Sequence, residues 1–263
     1  MENKKMNVRI GSNPKLIECF SNTLNIKKGD MVVLETSRGV ELGQVVSFSK
    51  NTKKVSDLFE VKRIATSRDK RVNDLNKSKS NDYLVKIKQH IKKLNLEMKI
   101  VAVEFTLDFK KIIISFYSET RVDFRELVKT LANDFKMKIE LKQVGARDVV
   151  QIMGGIGLCG QECCCHKFAS NMEPVSIKMA KQQGLSLNPT SISGLCGKLL
   201  CCLEYENSAY QEIIAQMPKI NSLVKTPDGE GKVVFNNILK RRVQVRFEDD
   251  IKEYSLSDIK FSK

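Results

Sequence analysis

The sequence is poor in several features that would assign it quickly to a class. It has no apolar run near the roughly 18 residues that a membrane span requires; runs such as residues 112–114 are very short. Membrane insertion is therefore not expected. The N-terminus, Met1-Glu2-Asn3-Lys4-Lys5-Met6, lacks the apolar core of a secretion signal, which points to a cytoplasmic protein. Histidine is scarce: the chain has 2, His90 and His166. No Walker, Gly-x-Gly-x-x-Gly or Ser–His–Asp constellation occurs in a proper context, which argues against an enzyme. The glycine-rich stretch Gly154-Gly155-Ile156-Gly157 carries no phosphate-binding lysine and leads straight into cysteines, so it reads as a turn. The Cys-x-x-Cys-His signature of haem attachment is absent.

What is present is more telling. The 263 residues allow one to three compact units. A 41% hydrophobic and 29% charged composition suits a globular chain. The formal charge is +14, which favours association with nucleic acid or acidic partners. The excess is uneven: residues 62–99 hold 12 Lys/Arg against 4 Asp/Glu. A solvated, lysine-rich helix face is the plainer reading, and RNA contact through this region is the functional one. Eight cysteines in a reducing compartment argue for metal or redox chemistry rather than disulfides.

The pattern along the chain predicts an α+β fold. Residues 1–60 read as short strands of a small β unit, barrel-like or a curled sheet. Residues 61–97 read as a basic linker followed by a helix capped at Asp82 and running to Leu96. Residues 98–150 read as a sandwich. A hairpin over 99–117 turns at Asp108-Phe109-Lys110, a helix capped at Asp123 runs to Phe135, and a strand covers 137–144. The helices are expected on one sheet face. Residues 151–218 form a cysteine-rich helical and loop segment, helical at 173–182 and 198–205. Residues 219–263 have the rhythm of a small SH3-like barrel.

The cysteine segment carries the chemistry. Seven of the eight cysteines lie between positions 159 and 202. Gly157-Leu158-Cys159-Gly160-Gln161-Glu162-Cys163-Cys164-Cys165 aligns with Gly194-Leu195-Cys196-Gly197-Lys198-Leu199-Leu200-Cys201-Cys202, displaced by 37 residues. This is an internal repeat, and chance is a poor account of so many matched Cys and Gly. Gly160 and Gly197 follow the first cysteine, where the chain can take φ > 0 and lie close to a metal centre. Amides of the motif glycines (Gly157, Gly160, Gly194, Gly197) could donate to cluster sulfurs. Residues five apart on a helix are about 140° apart, so the first cysteine of each motif must sit in a turn before a helix. Adjacent cysteines point about 100° apart and do not easily serve one small centre together.

Thiolate ligation suits zinc or iron–sulfur. Cys159 and Cys163 have a zinc-like spacing, but Leu200 removes the partner in the second copy. Adjacent cysteines with wide loops fit a bulkier cluster better, so a 4Fe–4S cluster is expected and zinc is the alternative. The candidate metal ligands are Cys159, Cys163, Cys164, Cys165, Cys196, Cys201 and Cys202. Each cluster takes four thiolates. One can be held by this chain, and a second needs a ligand from a partner or a second copy. Cys19 in Lys15-Leu16-Ile17-Glu18-Cys19-Phe20 reads as a core residue. His166 is a weaker candidate ligand, and His90 reads as a helix-face residue. A zinc- and RNA-binding adaptor and a cluster-dependent redox enzyme are the competing function classes.

The stretches 143–160 (QVGARDVVQIMGGIGLCG) and 173–206 (EPVSIKMAKQQGLSLNPTSISGLCGKLLCCLEYE) resemble the RicT (YaaT) family. This bacterial family carries the domain named after a yeast polymerase-suppressor protein. The resemblance implies a non-catalytic subunit acting with two small helical proteins, RicA and RicF, in a complex with 4Fe–4S clusters. That complex stimulates RNase Y in messenger RNA processing and maturation, and supports sporulation, competence and biofilm formation. The family's duplicated cysteines map onto Cys159, Cys164, Cys165, Cys196, Cys201 and Cys202. Cys163 departs from the family pattern, which makes it a candidate substitute for a partner thiolate; His166 and Lys167 stand where small polar residues are usual.

Overall fold

Alternating apolar residues near the N-terminus close on themselves. In the computed structural model, which describes residues 4–12, 14–21, 25–49, 58–248 and 250–261, five strands form a closed barrel. They are β1 (Lys4–Ile10), β2 (Leu16–Ser21), β3 (Met31–Thr36), β4 (Gly39–Phe48) and β5 (Phe59–Ile64), in the order β1-β2-β5-β3-β4. β1 pairs antiparallel with both β2 and β4. Met6, Val8, Val32, Leu34, Val45 and Val61 point inward, as period-2 patterning requires. Cys19 lies among them with no exposed surface. Burial pushes its thiol up to about 12. The core reading of this residue therefore holds. The first three residues of the chain, part of the N-terminal reading, lie outside the described set.

The structure departs from the expected linker at 61–81. β5 straddles residue 60 and pairs parallel to β2, a contact between segments remote in sequence. α1 (Ser67–Lys93) then begins fifteen residues before the expected Asp82 cap. Its start is a reciprocal capping box: Asp69 N–H donates to Thr66 Oγ1 at 3.3 Å, and Thr66 N–H to Asp69 Oδ2 at 2.7 Å. Arg63 also donates to Asp69, and holds its carboxyl well below the usual carboxylate range. The buried stripe of α1 includes Asn76, Ile87 and Ile91. Asn76 is polar, so it breaks the apolar period; its Nδ2 donates to Thr106 O at 3.2 Å, which satisfies it inside.

The central layers follow the expected order. β6 (Lys99–Phe105), β7 (Lys111–Tyr117) and β8 (Lys138–Gln143) form a sheet of order β6-β7-β8, antiparallel at the hairpin and parallel at β8. α2 (Arg125–Phe135) completes the layer. Ile112, Ile114 and Phe116, alternate residues of β7, meet Ile87 and Ile91 of α1 and Leu127 and Leu131 of α2. Both helices thus cover one sheet face. Asp123 Oδ1 accepts from Arg125 N–H at 3.1 Å, close to the expected cap.

The chain divides into two units: residues 1–171 with 195–198, and residues 172–194 with 199–263. The first also holds α3 (Ala146–Met153) and α4 (Cys164–Lys167). The second holds α5 (Ile177–Gln182), α6 (Pro189–Ile192), α7 (Cys201–Tyr205) and α8 (Asn207–Ile214). Its strands are β9 (Leu223–Thr226), β10 (Gly229–Asn237), β11 (Arg242–Arg246) and β12 (Ile251–Ser255). The C-terminal strands pair as a four-stranded antiparallel sheet, β12-β11-β10-β9, over a core of Val224, Val233, Val243, Val245 and Ile259. Where an SH3-like barrel was expected, a single isolated bridge joins Lys225 to Lys260.

Candidate metal-binding turns

The sequence repeat is also a structural repeat. An antiparallel bridge joins Ile156 to Glu162, and another joins Ser193 to Leu199, 37 residues on. Cys163 N–H donates to Gly155 O at 2.9 Å, and Leu200 N–H to Ile192 O at 2.9 Å. Gly160 has φ 75 and Gly197 φ 72. Nothing lies within 4 Å of a Cβ built on either, so backbone conformation rather than space calls for glycine there. The residue before the helix is nearly superimposable, with φ −54 and ψ 126 at Cys163, and φ −57 and ψ 131 at Leu200. α4 then opens with Cys164 and Cys165, and α7 with Cys201 and Cys202.

This geometry places every expected thiol. Cys159 and Cys196 sit in the turn ahead of the helix, where helix geometry required the first cysteine. Cys159 is exposed, Cys165 is buried, and Cys163, Cys164, Cys196, Cys201 and Cys202 are half-buried; none is in a disulfide. The first unit contains Cys159, Cys163, Cys164, Cys165 and Cys196, and the second contains Cys201 and Cys202. Gly157 N–H donates to Gln161 O at 2.8 Å and Gly160 N–H to Gly157 O at 3.0 Å, so these two amides brace the first turn. Leu158 and Leu195 occupy equivalent positions and are 72% and 61% exposed.

The interiors of the two turns differ. In the second, Leu199, Leu200 and Leu203 pack with Ala180 and Ile192 in an apolar cluster. The equivalent residues of the first turn are Glu162, Cys163 and His166. His166 Nδ1 lies 2.7 Å from Gln151 O. A carbonyl only accepts, so Nδ1 carries the proton. Nε2 faces Glu162 Oε1 at 3.4 Å. Gln151, almost fully buried, donates from Nε2 to Ser170 O at 2.8 Å. Exposed Glu162, half-buried Cys163 and half-buried His166 thus stand where the second turn has leucines. Glu162 and Gln151 were not among the expected site residues, although the offset of 37 pairs Glu162 with a leucine and so marks it. His90 Nε2 lies 3.2 Å from Asp134 Oδ2 on the helix surface.

Among the described residues no group of three or more His, Cys, Asp or Glu side chains is arranged to hold a metal ion. The donor set is nonetheless the one a cluster takes: thiols, paired at helix starts, on glycine-shaped turns. The residues fit the group in chemistry and not as a closed cage within one chain. No helix of the described residues is long and apolar enough to cross a membrane.

Comparison with known proteins bears on these residues directly. Residues 59–144 match the PSP1 C-terminal conserved region, and residues 174–217 match the third domain of PSP1-like proteins. Stage 0 sporulation protein YaaT of Bacillus subtilis (strain 168) is 44% identical over 257 residues, covering 96% of this chain and 94% of the relative. The chain belongs to the RicT (YaaT) family of PSP1-type proteins. The first match spans β5 to β8 with α1 and α2, and the second spans α5 to α8 with the second cysteine turn. No solved structure matches.

Proposed function

We propose that this chain is a non-catalytic regulatory subunit of the cytoplasm whose two cysteine turns bind 4Fe–4S clusters completed by partner chains. Cys159, Cys164 and Cys165 serve from the first turn, and Cys196, Cys201 and Cys202 from the second. The partners are small helical proteins of the RicA and RicF kind, and the assembly adjusts RNase Y-dependent messenger RNA processing. The name of the B. subtilis relative supports a part in a sporulation programme, with competence and biofilm development as family roles. The carrying observation is the duplicated turn: two segments with the same β-bridge, the same amide-to-carbonyl bond before the helix and matching φ at the glycine present cysteines at the same three places. The exposed leucines at equivalent positions support docking, because apolar surface at a turn gains from burial by a partner. Bound there, a cluster supplies a redox-active, oxygen-sensitive centre whose loss disconnects the turns from their partners.

Iron, sulfide and zinc quantification on protein purified without oxygen tests this reading. Iron with matching sulfide is expected, and Cys196→Ser or Cys201→Ser abolishes the visible absorbance. Stoichiometric zinc in place of iron, or full iron and sulfide in both variants, rules the assignment out. Co-purification with the helical partners raises iron per chain; equal iron with and without them removes the shared-cluster idea.

A further inference from the structure

A groove of about 440 Å³ runs between α1 and β6, the edge strand of the central sheet. Its helix side is formed by Asn73, Asn76, Lys77, Ser80, Asn81 and Leu84, and residues 101–105 of β6, Glu104 among them, lie opposite with Gly11 and Ser12. Among the described residues the carboxamides of Asn73 and Asn81 make no hydrogen bond within the protein. On a helix advancing 100° per residue, Lys70, Asn73, Lys77, Asn81, Leu84 and Lys88 fall within about 80° of arc. This stripe runs about 27 Å at 1.5 Å per residue. No carboxylate among the described residues comes within 4.0 Å of the ammonium groups of Lys70, Lys77 or Lys88.

We propose that this groove and its stripe bind single-stranded nucleic acid. The three lysines take phosphates spaced along the strand, and the Asn73 and Asn81 carboxamides take base edges. Unpaired ammonium groups spaced along a line match a phosphate backbone. Carboxamides present a donor and an acceptor side by side, which suits a base edge. The Watson–Crick edges of bases are accessible only on unpaired strands. An acidic protein partner is disfavoured, because a protein interface centres on large apolar or aromatic anchors. The one aromatic at this groove, Phe105, is already stacked on Phe109 with ring centroids 4.6 Å apart. The α1 and β6 residues of the groove lie within the stretch matching the PSP1 C-terminal conserved region, and the candidate cysteine ligands lie outside that stretch.

Fluorescence anisotropy with labelled single-stranded RNA and DNA 12-mers, and a duplex of the same length, tests the full chain. Tight binding of a single strand over the duplex is expected, weakening as salt rises. RNA above DNA identifies 2′-hydroxyl contacts, and equal affinity identifies a general single-strand site; either supports the proposal. Lys77→Glu with Lys88→Glu weakens binding about tenfold or more. Asn73→Ala with Asn81→Ala leaves overall affinity within a fewfold but flattens preference among homopolymers. Arg68→Glu with Lys93→Glu, equal in charge change but on the far side of α1, is the control. Binding of neither strand by the wild-type chain overturns the proposal. So does a Lys77/Lys88 loss no larger than the control's, with helix content checked by circular dichroism. The anisotropy reads strand binding by the chain and the iron measurement reads its metal content, so the two tests fail separately.

Discussion

The two cysteine turns share a backbone and differ in what lies beneath it. The second rests on leucines, with Leu203 1% exposed against Ala180 and Ile192. The first rests on a hydrogen-bonded set in which His166 and Gln151 hold the helix start to its neighbours. The same dihedral angles at Gly160 and Gly197 survive this exchange. The shape is therefore written in the repeated residues Gly-Leu-Cys-Gly and Cys-Cys, and the filling is free to vary. What stays constant across both copies is what a ligand or partner would meet, and what varies is what only the fold meets.

Unequal disruption of the fillings is the strongest way to break this comparison. Leu203→Ala lowers stability by about 2–5 kcal/mol, the cost of a core cavity, measured by denaturant unfolding. His166→Leu, which restores the second turn's residue, loses one hydrogen bond and costs about 1 kcal/mol. Equal losses in the two variants would show that both turns are held the same way. Equal disruption of the backbone sharpens the comparison: Gly160→Ala and Gly197→Ala each cost about 1–2 kcal/mol, because alanine resists φ > 0. A clear inequality in thermal shift between them would mean that the turns are not conformational copies. The smallest effect is expected for Cys163→Leu, the other reversion to the second turn. It moves stability by less than about 1 kcal/mol, as a larger apolar side chain entering a half-buried site. It also leaves iron per chain unchanged, and a loss of iron would put Cys163 among the ligands.

The same contrast explains what could be read from the residues alone. β6, β7 and α2 were legible because apolar period and local turns agree, as at Phe116, Leu127 and Leu131. The first half of α1 was not, since Asn76 occupies a buried place usually held by an apolar residue. The Thr66–Asp69 capping box was the available signal. β5 was hidden for a different reason: its parallel partner β2 is far away in sequence, and only Val61 in it is buried. The cysteine turns were legible as a repeat because glycine and thiol have few interchangeable substitutes. The groove along α1 was legible only as a basic stretch over 62–99 with RNA contact as one reading, because the asparagines gain meaning once an edge strand is known to lie beside them.

Cys19 has one further use. Sealed inside the barrel, with a thiol that resists ionisation at neutral pH, it is chemically silent towards alkylating reagents while the native state persists. Its modification requires the strands to part, so its labelling rate clocks barrel opening. Mass spectrometry of a timed alkylation would read that clock on the unaltered chain, separately from reaction at the exposed Cys159.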